Sequence, residues 1–172
     1  VTHRDGAENR LIYDRDASKK EWIVHECWRP HTREILTTNW PHGVMAIHID
    51  TGAWRWVTRF NAWHPMVAPS GKTMITDTKT PDIGLQRFDI ECSETSPTEC
   101  SETSPTPLCQ SNASNIGNHW DIGHCPYDDG PVDVYAPQHT HPHPNFSPDG
   151  NLFIFTSDAA WFAQLCEATF EI

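Results

Sequence analysis

Three times along the chain a histidine is followed five residues later by a proline, then by a turn and a short strand ending in threonine. The pairs are His25/Pro30, His64/Pro69 and His143/Pro148, in "HECWRPHTREILTT", "HPMVAPSGKTMITD" and "HPNFSPDGNLFIFTSD". The first two histidines lie 39 positions apart, close to the ~40–45 residues of a four-stranded propeller blade. The next interval, 79, reads as one blade enlarged by an insert. Blades of this kind repeat radially around a channel, so equivalent repeat positions face one axis. The register therefore predicts that His25, His64 and His143 converge.

The remaining pattern agrees. "REILTT", "VMAIHID", "WRWVT", "KTMITDT", "LQRFDI" and "NLFIFTS" are short runs rich in Val, Ile, Thr and aromatics, separated by "DTG", "PSGK" and "SPDGN"; such runs bounded by turn residues are strand signals. No segment carries a long helical period. The predicted class is all-β: four-stranded antiparallel propeller blades, a partial propeller forming one domain over residues 1–172. An irregular insert is expected at 91–130, where "ECSETSPT" occurs twice in tandem. Its Ser, Thr, Glu and Pro bury too little apolar area to offset the entropy of ordering, so the low-complexity part is expected to be disordered.

A net charge of −11 excludes a general nucleic-acid or anionic-membrane surface, since both need clustered Lys and Arg. An acidic ligand would need a local positive device. No run approaches the length of a membrane span, and Val1-Thr2-His3 opens no secretory signal and reads as mid-chain. The six cysteines show no C-x-x-C pair, which argues against a zinc cage and leaves compartment and disulfide state open.

The chemistry concentrates in "APQHTHPHPNFSPDG", residues 136–150. In extended backbone residues two apart share a face, so His141 and His143 are expected side by side on one strand, half of a metal site. Gln138 can add an amide oxygen and His25 a third imidazole from a neighbouring blade. Imidazoles suggest Zn, while an amide oxygen with open positions admits Mn. His139 has the parity to join the set, and a surface His-rich tract without a defined site is the competing reading.

"HECW" at 25–28, "PQHTHPHPNFSPDG" at 137–150 and "FTSD" at 155–158 resemble the oligogalacturonate lyases, pectin-degrading seven-bladed propellers. "NFSPDGNLFIFTSD" alone is similar to TolB-like and WD40-like repeats as well. The resemblance covers most of the chain outside the insert. It implies a C-terminal portion of such an enzyme, with His25, Gln138, His141 and His143 as metal ligands, Mn as the ion and His64 in contact with substrate. It also implies β-elimination on oligogalacturonides to 4,5-unsaturated products, in the cytoplasm. The family's catalytic His and Arg lie before the "HECW" segment. Only 24 residues precede His25 here, and no motif gives His3, Arg4, Arg10 or Arg15 those roles.

Two further groups stand out. "NHWDIGHCPYDDG", residues 118–130, reads as a polar loop beside a site, and most of Trp28, Trp40, Trp54, Trp56, Trp63 and Trp120 read as inter-blade core. Two other functions fit the repeat: a non-catalytic propeller module binding an acidic sugar or a protein, and a structural metal clip between blades.

Overall fold

A computed structural model describes residues 9–19, 21–78, 83–90, 102–113, 140–161 and 163–169. These build three antiparallel sheets in chain order. The first contains β1 (Trp22–Trp28), β2 (Glu34–Trp40), β3 (Gly43–His48) and β4 (Trp54–Thr58). The second contains β5 (Met66–Val67), β6 (Thr73–Thr76), β7 (Leu85–Asp89) and β8 (Thr106–Cys109). The third contains β9 (Asn145–Phe146), β10 (Leu152–Ser157) and β11 (Gln164–Thr169). The fold is all-β and of propeller-blade type, as the repeat register predicts. Among the described residues the only helical turn is a 3-10 turn at Ala17–Lys19, and no helix is long and apolar enough to cross a membrane.

Each blade starts with one of the repeated segments, because their Pro-containing turns (Pro30, Pro69, Pro148) join the first and second strands. Alternation along β6 shows how the blades stack. Met74 points to the first sheet, in a cluster with Leu36, Val44, Val57 and Phe88. Ile75, its neighbour, points to the third, packing with Leu85, Phe153 and Phe155. The middle blade is thus buried on both faces, and all four residues of β6 are buried.

Part of the stretch expected as insert belongs to a blade. Thr106–Cys109 pairs antiparallel with β7 as the outermost strand. Pro107 is tolerated there because an edge strand leaves one row of its backbone groups outside the ladder. Residues 91–101 and 114–130, including the 118–130 polar loop, lie outside the described residues.

The two ends of the first sheet differ in chemistry. Glu34 pairs with His48 at one end of β2, whereas Trp22 pairs with Trp40 at the other. About 20 Å separates these ends at ~3.3 Å per residue. At the Glu34 end, Arg29 donates Nη1 to Glu34 Oε2 (2.7 Å) and Nε to the Gly71 carbonyl of the second blade (2.8 Å), a buried ionic cross-link. At the other end, Trp22, Trp40 and Trp63 pack edge to face with centroids 5.6–6.2 Å apart.

The turns interlock in the same repeated way. Gly71 has φ +73°, and a Cβ on it would lie 2.6 Å from the Pro30 carbonyl oxygen of the preceding blade's turn; Gly150, φ +76°, sits likewise 3.3 Å from the Pro69 ring. Glycine is needed at residue 71 both for the left-handed conformation and for the close approach. Gly71→Ala is therefore expected to destabilise the protein by about 1–3 kcal/mol, whereas Gly52→Ala, which meets only one backbone oxygen at 3.0 Å, should cost less. Urea unfolding of the two variants checks the order.

Candidate active site

Each blade delivers its repeated histidine beside the tryptophan end of the first sheet, but by different local means. His25 sits inside β1 where the pairing with β2 slips between Val24 and Cys27, a bulge, with φ 58°. Bulges re-aim side chains, and here the left-handed residue turns its imidazole out of the ladder toward the neighbouring blade. His64 lies two residues before β5, with Pro65 between. His141 and His143 lie in the lead-in to β9, which is held along β10 by the Thr156 N–H donating to the Pro142 carbonyl at 2.7 Å.

The four imidazoles meet. His64 is central, its ring centroid 4.3 Å from His25, 5.1 Å from His141 and 4.1 Å from His143; His25 and His143 are 6.3 Å apart. The convergence expected from the repeat register is present among the described residues. His141 and His143 reach it by a route other than strand parity: residues 140–144 form no strand, and His143 has φ 46°. The prolines on either side of His143 explain this, since neither donates to a ladder.

Sequence reasoning gave no role to Asp77, which organises the cluster. It follows β6 and is 1% exposed. Oδ1 accepts the backbone N–H of His64 (2.8 Å), while Oδ2 lies 2.7 Å from His64 Nδ1 and accepts the backbone N–H of His143 (3.0 Å). Burial alone would raise its pKa, but the His64 imidazole and these N–H donors outweigh it and hold the carboxyl below its ordinary 3.8. The signal was the Asp that closes the repeated strand in "MITD", present again as "FTSD".

Trp63 lines the floor, 4.9 Å from His25 and 6.5 Å from His141. In this packed setting burial, then the nearby His64 and His143, pull the His25 pKa down to about 4. Burial and then His64 lower that of His143 as well. Both rings are therefore neutral near neutral pH, with a lone pair to offer. His64 is 4% exposed.

The metal shell expected from the sequence is not formed by the described side chains. Among them no group of three or more His, Cys, Asp or Glu is disposed to hold a metal ion. His64 and His143 lie stacked, 10° from parallel. Gln138 and His139 lie outside the described residues. The donor chemistry nonetheless fits a divalent first-row ion. His25 and His143 are neutral, and Asp77 behind His64 is the carboxylate–histidine pairing that fixes Nδ1–H and leaves Nε2 as a ligand atom. Trp40 and Trp63 are buried as inter-blade core, as expected, whereas Trp28 and Trp54 are exposed.

No protein-family model and no curated protein matches the chain. Solved structures do. An oligogalacturonate lyase in complex with manganese superposes with a TM-score of 0.64 at 21% identity, covering 99% of this chain and 40% of the lyase. An oligogalacturonate lyase from Vibrio parahaemolyticus gives 0.61 at 19%, covering 98% and 40%. TolB from Acinetobacter baumannii gives 0.58 at 17%, covering 98% and 34%. These likenesses show the propeller-type fold, and the chain spans about two fifths of the length of either lyase.

Asp77→Asn tests the organising role. Replacing the acceptor oxygen by an NH2 group sets donor against donor, so a loss of about 1.5–3 kcal/mol is expected at neutral pH. Because the folded-state pKa is depressed, the wild-type contribution is present above 3.8 and is lost as pH falls through the lower folded value. The variant should lose that acid-side slope, as read by denaturant unfolding across the acid range.

Proposed function

We propose that the imidazole cluster is the centre of a metal-assisted lyase acting on acidic oligosaccharides of the galacturonate class by β-elimination, and that this chain supplies part of that enzyme. One observation carries the reading: His64, its Nδ1 held by Asp77 at 2.7 Å, lies within about 5 Å of imidazoles from the blades on both sides. The fold likeness to an oligogalacturonate lyase that binds manganese and the Gln-x-x-His-x-His-Pro string support it.

The geometry favours a division of labour different from the one the sequence resemblance implies. His64 is nearer to His143 than His25 is, 4.1 against 6.3 Å, and the buried carboxylate of Asp77 stands behind its ring. In our reading His64, His141, His143 and the amide of Gln138 would hold the ion, Mn or Zn, and His25 is the proton acceptor. A divalent ion held there supplies positive charge beside a uronate carboxylate, stabilising the charge that builds as the neighbouring C5 proton leaves. His25, kept neutral by its surroundings, takes that proton. The C4 oxygen then departs and leaves the 4,5-double bond. Asp77 keeps His64 in one tautomer throughout, and Trp63 excludes water from beneath the rings.

A second reading, a binding module without catalysis, is favoured by the absence of a ready metal shell among the described residues. The two separate cleanly. In the lyase reading the protein with Mn and oligogalacturonate generates an ultraviolet-absorbing unsaturated uronate. His64→Ala loses both product and Mn affinity measured by calorimetry, and His25→Ala loses product while keeping Mn. Asp77→Asn weakens Mn binding by roughly 10–100-fold. Mn binding lost in His25→Ala but kept in His64→Ala would reverse the assignment, and sugar binding with no product at any metal would establish the module instead.

A further inference from the structure

The first and third blades each turn one face away from the stack, and the exposed apolar side chains gather at these two ends. Among the described residues the large ones are Leu11, Trp28, Trp54, Ile154, Trp161 and Leu165. Trp28, Ile35, Ile47 and Trp54 stand opposite one another in turn across β1 to β4. Directly paired residues share a face, so they form one row on the side of the first sheet away from the second. Residues 10–15 cross this side, held by Arg10, which donates to the carbonyls of Ile49 and Asp50, and by Tyr13, which donates to Glu21. They leave a groove of about 330 Å³ lined by Leu11, Ile23, Ile35 and Ile47. At the other end Ile154 and Leu165 share the outward face of the third sheet, Leu165 being paired with Thr156. Trp161 lies in the hairpin between β10 and β11.

The repeat register says what fits these faces. Five positions after the shared proline stand Ile35, Met74 and Phe153, and six positions after it Leu36, Ile75 and Ile154. Where two blades meet, the sixth-position residue of one packs with the fifth-position residue of the next: Leu36 clusters with Met74, and Ile75 with Phe153. Each of those four is at most 2% exposed. The ends leave one residue of each kind without a neighbouring blade, Ile35 in the groove and Ile154 at 38% exposed. The chain therefore carries both halves of its own inter-blade contact, at opposite ends of the stack. An apolar side chain exposed singly is ordinary, but a set confined to two faces marks an interaction surface.

We propose that these faces dock a second copy of the chain head to tail, the outward face of the third blade, with Ile154 and Leu165, seating on the grooved face of the first blade of the other copy. Blade stacking then continues from one molecule to the next by the contact already made twice within each. The two patches differ, so the interface is heterologous, and it either closes on itself or extends as a series according to the rotation between copies. It involves no imidazole and stands independently of the lyase reading.

Sedimentation velocity of the full chain over about 1–100 μM is the test, with reversible, concentration-dependent association expected. Leu11→Asp and Leu165→Asp each place a charge in the contact. Both side chains are mostly exposed in the single chain, 75 and 70%, so folding is spared. Each variant should weaken association roughly tenfold or more. Mixing the two restores one intact pairing, the third-blade face of the Leu11→Asp copy with the first-blade face of the Leu165→Asp copy, so the mixture should associate more strongly than either variant alone. Should Leu11→Asp loosen the 10–15 segment, Trp28→Gln probes the same face from β1. A chain that stays monomeric throughout the range overturns the proposal and leaves the faces to a different partner. Association that one of the two variants leaves unchanged overturns it as well, since a single face then pairs with itself, and so does a mixture no stronger than its components.

Discussion

One carboxylate ties together two of the four imidazole-bearing positions of the candidate site. Asp77 projects from the middle blade and receives the backbone of His64, which leads into its own blade, and of His143, which leads into the next. Two blade entrances are thus referenced to a single pair of oxygens. A buried carboxylate is tolerable only when its lone pairs are answered, so any displacement of either lead-in leaves a desolvated acceptor. The unfavourable left-handed backbone of His143 persists because this hydrogen bond, the Pro142–Thr156 bond and two buried prolines over-determine it.

That arrangement relies on blades that cannot slide. The apolar interfaces fill the space but are indifferent to small shifts, because dispersion has little directionality. Direction comes from the turn contacts, where Pro30 meets Gly71 and Pro69 meets Gly150, and from Arg29, which crosses from the first blade to a carbonyl of the second. These contacts sit at the opposite end of the sheets from the imidazoles. The blades are therefore pinned at one end by ionic and backbone contacts and at the other by Asp77, with the apolar core between. The same separation keeps two guanidinium groups away from the imidazoles, where they would repel a bound cation.

Much of this was legible in the sequence, and the rest was hidden for physical reasons. Strands such as β4 and β10 announce themselves through β-branched and aromatic residues between turns, and the convergence of His25, His64 and His143 follows from equal register in a radial repeat. The bulge that turns His25 outward leaves no mark in β-propensity, because it is an irregularity of pairing and not of composition. Strand β8 was concealed by Thr and Pro, residues that the end strand of a sheet accepts because, among the described residues, only one of its edges is paired. Asp77 was visible as a repeated letter, but its role depends on a tertiary meeting of two lead-in segments. The carboxylate at His64 Nδ1 is equally a product of the tertiary fold, since 13 positions separate the two residues.

The two polar centres, the imidazole cluster and the Arg29–Glu34–Arg55 cluster, carry charge on different terms. Burial keeps His25 and His143 neutral, so the imidazole cluster has no attraction of its own for a carboxylate and gains one only in proportion to any cation it holds. Arg55 has the opposite character: burial and the adjacent Arg29 lower its pKa while Glu34 opposes the change, and a guanidinium starts so high that it remains charged. Its charge is therefore permanent and independent of pH in the ordinary range. A conditional centre suits a reaction, because charge can be placed where it builds during bond breaking. A permanent one suits architecture, since a fixed charge holds the Arg29–Glu34–Arg55 contacts and the crossing to Gly71 whatever the pH in that range.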